Sequence, residues 1–303
     1  MKLSLSFTPL LPFVLFLSYL CPTYAQNNPN RQEWIQLFNG KDLSGWDIKI
    51  AGHDLNDNYK NTFRVENGML RIAYDQYQNF NNKYGHIYYK KPYSYYILRF
   101  EYRFVGNQIP GGATWNNRNS GIMIHSQSAQ SLGKNQHFPI SLEVQLLGGL
   151  GKGERHTANL CTPGTIVDMK GNVASAHCID SQSKTYDGDQ WVTVEAIVLG
   201  DSIIHHVIAG DTVLTYEKPR IGGGYVSKDY GFVQAFVPNP DYWIKRDGNL
   251  LKEGYIALQS ESHGIDFRKV ELLNLKGCTD KKALNYKSYY RASDNSQCVY
   301  RKR

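Results

Sequence analysis

The sequence predicts an all-β protein, a sandwich or jelly roll of antiparallel sheets. Its 22 Tyr and 12 Phe favour pleated, half-buried strands, and its 27 Gly supply tight turns. Run after run alternates apolar and polar residues with the period of two that a strand with one wetted face requires. No long stretch carries helical periodicity, so the helical crossovers of a parallel sheet are excluded.

The first 25 residues read as a secretory signal peptide outside the fold. Lys2 gives a positive start, Leu10–Leu20 an apolar core, and Thr23-Tyr24-Ala25 a small-residue cleavage site before Gln26. The bulky Leu20 before Cys21 argues for simple cleavage rather than lipid attachment. The expectation is an exported protein, periplasmic or extracellular, with no later stretch apolar enough to span a bilayer. The formal charge of +7 falls to +6 without Lys2, a mild excess without the basic, aromatic-interleaved run that nucleic acid would demand.

Trp34–Phe38 and Lys41–Trp46 form an ordered lead-in with an Asn-Gly turn. Phe63–Tyr74 reads as a hairpin about Asn67-Gly68, the pair that supplies the positive φ angles of a two-residue turn. Asp75–Tyr84 is loop. Tyr96–Val105 alternates strictly, with Leu98, Phe100, Tyr102 and Phe104 on one face and Arg99, Glu101 and Arg103 on the other. Gly106–Arg118 and Gly148–Gly153 are polar loops flanking the strands Ser120–Ser126 and Ser141–Leu147. Asn159–Lys184 is a long excursion. Trp191–Leu199 is a strand with Val192, Val194, Ala196 and Val198 inward, and Ile203–Ile208 pairs with Val213–Tyr216 across Gly210-Asp211. Lys218–Lys252 is largely irregular, and Gly254–Ser260 and Phe267–Leu275 are the last strands. Residues 26–276 are therefore expected to form one β domain, and 277–303, short, polar and bounded by cysteines, a stapled appendage.

Four cysteines follow the leader: Cys161, Cys178, Cys278 and Cys298. Three pairings exist, and an oxidising compartment favours the local ones, Cys161–Cys178 and Cys278–Cys298. A metal site is the rival reading, but no Cys-x-x-Cys spacing supports it.

The candidate chemistry centres on 119–161. Leu142, Val144 and Leu146 face one way, while Ser141, Glu143 and Gln145 face the other. A carboxylate and an amide thus project together from a rigid sheet, although solvated polar residues are the default on such a face. His125 lies on the neighbouring strand, and Arg155 and His156 in the Gly-rich loop beyond. Glu261 and His263 follow the strand ending near Gln259. Trp115 and Tyr84 sit in polar loops where a ring can stack on a sugar. His205 and His206 are adjacent on a strand, so they point to opposite faces and make poor joint ligands.

Several stretches carry a resemblance: LFNGKDLSGW at 37–46, NSGIMIH at 119–125, LEVQLL at 142–147, HTANLCTPG at 156–164, SKTYDGDQWVTVE at 183–195 and GYIALQSESHGIDFRKVEL at 254–272. Together they resemble the 3-keto-disaccharide hydrolase domain family, over most of Trp34–Leu275. The resemblance implies a concanavalin-like jelly roll and a hydrolase of bacterial carbohydrate breakdown. Many relatives carry an Asp where this chain has Gly148-Gly149, and the HTANLC segment with His177-Cys178 marks a subgroup. The C-terminal GCTD…ALNY…CVY segment is similar to a small module at the ends of secreted proteins of Bacteroidetes-type bacteria.

A ketone at carbon 3 of a sugar acidifies the proton on carbon 2. A base removes it, the group on carbon 1 leaves, and water adds back. The resemblance thus casts Glu143 as base or hydroxyl acceptor, and His125 and His156 as acid or metal ligands. Gln145, Arg155, Trp115, Glu261 and His263 fall to substrate binding. The sequence assigns no cofactor. A divalent metal, held by His and carboxylate together, stays open, and spacing alone assembles no ligand set. The alternative function is a non-catalytic carbohydrate-binding module on the same fold, and a third is surface attachment through the C-terminal segment.

Overall fold

The computed structural model describes residues 28–223 and 235–301. The leader reading and Cys21 lie outside the described residues. The strands are β1 (Trp34–Gln36), β2 (Trp46–Ile50), β3 (Phe63–Glu66), β4 (Met69–Ile72), β5 (Gly85–Tyr89), β6 (Tyr95–Val105), β7 (Asn119–Ser126), β8 (Leu142–Leu147), β9 (Asn159–Cys161) and β10 (Thr165–Met169). They continue with β11 (Asn172–Val173), β12 (Cys178–Ile179), β13 (Val192–Leu199), β14 (Ile203–Ile208), β15 (Asp211–Ile221), β16 (Tyr255–Ser260), β17 (Gly264–Asn274), β18 (Lys276–Gly277) and β19 (Ala292–Ser293).

Two antiparallel sheets form the predicted jelly-roll sandwich. The first runs β11-β10-β15-β14-β13-β6-β17-β4-β3, with β1 also on β17, and the second runs β12-β9-β8-β7-β16-β5-β2. The alternating faces meet between them. Leu98, Phe100, Tyr102 and Phe104 of β6 and Val194, Ala196 and Val198 of β13 pack against Leu142, Val144 and Leu146 of β8 and Ile256 and Leu258 of β16. The Asn67-Gly68 turn has both φ angles positive, at 51° and 73°, as the tight hairpin demands.

Some elements depart from the sequence reading. β2 and β5 went unassigned because they are buried almost throughout, and a strand covered on both faces shows no alternation. The excursion at 159–184 holds four short strands: β9 and β12 extend the second sheet, β10 and β11 the first. The irregular stretch 218–252 contains the end of β15 and a short helix, α1 (Pro240–Ile244). β17 starts at Gly264, ahead of Phe267, and a register shift between Arg268 and Glu271, with Lys269 at φ 51°, breaks its alternation.

Both disulfides are the local pairs, Cys161–Cys178 and Cys278–Cys298. The first joins residues directly opposite each other on β9 and β12. Beyond β17, β18 and β19 form a parallel two-strand ladder, and Lys287 and Ser288 bind Glu33 and Pro29 near the start of the described chain.

Candidate active site

The outer face of the second sheet is divided in two. Over one half the segment after β7 folds back, and Ala129 and Leu132 cover Met123, Tyr88 and Ala257. The other half is a cleft of about 260 Å³. Glu143 and Gln145 of β8 and Glu261, just past β16, supply its polar lining, Trp115 and Phe138 form an aromatic side, and His177 and the Cys161–Cys178 disulfide close the opposite side.

Strand register explains the convergence. Leu142, Val144 and Leu146 of β8 are core, which turns Glu143 and Gln145 outward. Gln145 lies opposite Gly121 of β7, and Glu143 opposite Met123. Glu143 leans over Gly121: a Cβ at that position would sit 2.3 Å from Glu143 Oε1. Glycine there leaves the volume the carboxyl occupies. Trp115 is 53% exposed and stacks at 6.2 Å, nearly parallel, on Tyr84. Tyr84 is wedged among Phe80, His137 and Phe138, and its hydroxyl accepts a hydrogen bond from Asn116 Nδ2. The exposed indole therefore stands on a rigid aromatic support, the arrangement that suits the apolar face of a sugar ring.

Electrostatically the cleft is unusual. Burial pushes the Glu143 carboxyl up to about 8, with no cation or hydrogen bond opposing it. Burial pushes the Glu261 carboxyl well above the usual carboxylate range too, and the Glu143 charge adds to the effect. Two buried carboxyls in mutual repulsion do not ionise together, so the pair holds one proton between them over a range of pH. Glu261 Oε2 has no hydrogen-bond partner in the protein.

The structure thus brings Trp115, Glu143, Gln145 and Glu261 together and places the other sequence candidates elsewhere. His125 has φ 48°, beside a register shift between β7 and β16, which turns its side chain off the strand's alternation. Its ring is buried, with Nε2 2.9 Å from the Gly200 carbonyl of the first sheet, and burial holds it neutral, down to about 4. His156 Nδ1 pairs with the Ser183 carbonyl, and its Nε2 lies 3.9 Å from Glu154. Arg155 donates to the carbonyls of Gly148 and Arg118, so it pins its own loop. His263 packs edge-on to the core residue Phe104 and is held down to about 4 by burial and then by Arg118. Tyr84 is the support beneath Trp115, not a sugar platform of its own. His206 is buried, bonded to Ala158 O and Tyr216 Oη, while His205 meets Thr215 on the other face.

Sequence reasoning passed over Gly121, Asn119, Phe138 and His177, which line or shape the cleft. The signal for Gly121 was present, a lone glycine inside the strand SGIMIH. Phe138 and His177 arrive from loops with no periodicity to place them. Among the described residues no group of three or more His, Cys, Asp or Glu is arranged to hold a metal ion, and no helix is long and apolar enough to cross a membrane.

No curated protein matches the chain. Among solved structures it is similar to two candidate glycosyl hydrolases from Parabacteroides distasonis. One is 18% identical, with TM-score 0.46, covering 80% of this chain and 94% of that one. The other is 16% identical, with TM-score 0.46, covering 80% and 100%. A carbohydrate-binding module, CBM66 from Bacillus subtilis, is 11% identical, with TM-score 0.35, covering 63% and 82%. The 3-keto-alpha-glucoside-1,2-lyase-like domain matches residues 33–273, which span both sheets and the cleft, and the chain belongs to that family.

Proposed function

We propose that this chain is an exported carbohydrate-active enzyme that cleaves 3-keto-glycosides by elimination and hydration in the Glu143 cleft. Family membership supports a carbohydrate-related role, and the observation that carries the finer reading is the buried pair Glu143 and Glu261, facing one cleft without a cation. In the first half-reaction Glu143 takes the proton from carbon 2, and its electron pair forms the carbon 1–carbon 2 double bond. The bond from carbon 1 to the leaving oxygen breaks, and Glu261 protonates that oxygen. Water then adds at carbon 1 and a proton returns to carbon 2, so the net change is hydrolysis. A general base works best with its pKa near the working pH, where the environment of Glu143 places it. Trp115 supports the sugar ring, and Gln145 binds a hydroxyl.

The exposed Trp115 on its fixed support also suits a module that binds glycans without turning them over. Turnover of 3-keto-glucosides and their unoxidised parents, with and without chelator, separates the readings. Release of aglycone from the keto forms alone supports elimination. Release from the parents as well indicates a glycosidase with two opposed carboxylates. Binding with no release from either indicates the module.

A further inference from the structure

We infer that His86 and Gln259 hold ordered water against the Glu143–Glu261 pair and act as positioning residues for it, an inference that rests on the cleft being the working site. His86 of β5 and Gln259 of β16 are directly opposite in register, and both are fully buried. Neither ring nitrogen of His86 and neither amide atom of Gln259 has a partner in the protein. Four buried donor and acceptor sites left idle on one face are costly, and native proteins satisfy such groups with protein or water.

The pair's neighbours give it a role. Leu258 lies opposite Ile122, so the next step along β16 and β7 sets Gln259 beside Gly121, over which the Glu143 carboxyl leans. Glu261 follows Gln259 by two residues, about 7 Å along the strand direction. One water bridges that span, donating to the unpartnered Glu261 Oε2 and accepting from the Gln259 amide. His86 lies opposite Gln259 on the next strand; burial holds its ring down to about 3, so it is neutral and offers one donor and one acceptor. The other ionisable groups around the carboxyls are accounted for. His177 lines the cleft wall, Tyr74 donates no charge and bonds the Ser262 amide, Tyr84 bonds Asn116, and Lys49, opposite His86 on β2, spends its ammonium on the carbonyls of His53 and Lys134.

Hydrogen bonds donated into a carboxylate lower its pKa, so removing the water's anchors raises it further. Carbon-13 NMR of carboxyl-labelled glutamates in the full chain reads this without any turnover. Gln259→Leu and His86→Phe are each expected to move the titration of the coupled Glu143–Glu261 pair up by about one unit, and His86→Gln, which keeps a donor and an acceptor, to restore it. Titrations unmoved in folded Gln259→Leu and His86→Phe overturn the inference. Should those variants not fold, a crystal structure of the wild-type protein decides: a water within hydrogen-bond distance of the Gln259 amide supports it, and a direct Gln259–His86 hydrogen bond overturns it. A shifted titration in a protein that turns over no 3-keto-glucoside leaves the water site standing and removes the proposed activity.

Discussion

The outer face of the first sheet and the cleft on the second treat buried carboxyls in opposite ways. On the first sheet each is answered by cations. Arg71 holds both oxygens of the fully buried Asp266, and Arg103 joins them. Arg99 spans Glu195 and Glu271, while Arg268 and Lys269 close on Glu101. Trp191 packs against the guanidiniums of Arg103 and Arg268, and Trp34 against that of Arg99. Burial pulls the Glu101 carboxyl upward, but its bonds from Lys269 and Arg268 prevail and hold it below the usual range. On the second sheet Glu143 and Glu261 are equally buried, face no cation, and are pushed up. The same residue type, on the same kind of strand, is structural where it is paired and chemically available where it is not.

Breaking each face separately tests that contrast. Glu143→Gln keeps the shape and removes the base, so kcat on a 3-keto-glucoside is expected to fall about 10³-fold with KM little changed. Steady-state kinetics checks this. Asp266→Ala strips Arg103 of its carboxylate and leaves Arg71 with Glu66 alone on the opposite face. Stability is expected to drop by about 3 kcal/mol, measured by denaturant unfolding, with kcat unchanged.

Gly121→Ala drives a methyl into the Glu143 carboxyl, and kcat is expected to fall by about 10² while the fold survives. Trp115→Ala, exposed and outside the core, is expected to weaken sugar binding by about tenfold with no change in melting temperature.

The sharpest distinction is in the pH dependence of stability. The folded pKa of Glu143 is raised, so its protonated form is the one favoured by folding. That contribution is fully present below the unfolded value near 4.5 and is lost as pH rises through about 8. Glu143→Gln is therefore expected to be more stable than wild type by roughly 5 kcal/mol at pH 9 and equal to it at pH 4.

Much of the fold was legible because a sandwich strand has one covered face. Tyr95–Val105 and Val192–Leu199 announce themselves by alternation, and Asn67-Gly68 by the φ angles its turn requires. β2 and β5 were not, since loops cover their outer sides and erase the pattern. The site was legible to the same extent. Glu143 and Gln145 were placed at the cleft because β8 alternates cleanly, and Glu261 because it follows the strand ending at Gln259. His125 was misplaced by a single left-handed residue that no alternation reveals. His156 and Arg155 were grouped with Glu143 by nearness in the chain, yet their loop bonds are made to Ser183 and Gly148.

The central claim is that Glu143 removes the proton from carbon 2, and exchange of that proton measures it most directly. In deuterated water, wild-type protein is expected to wash deuterium into carbon 2 of a 3-keto-glucoside. Glu143→Gln is expected to do so at least about 10²-fold more slowly. Equal exchange by the two proteins would contradict the account and move the base to another residue of the cleft.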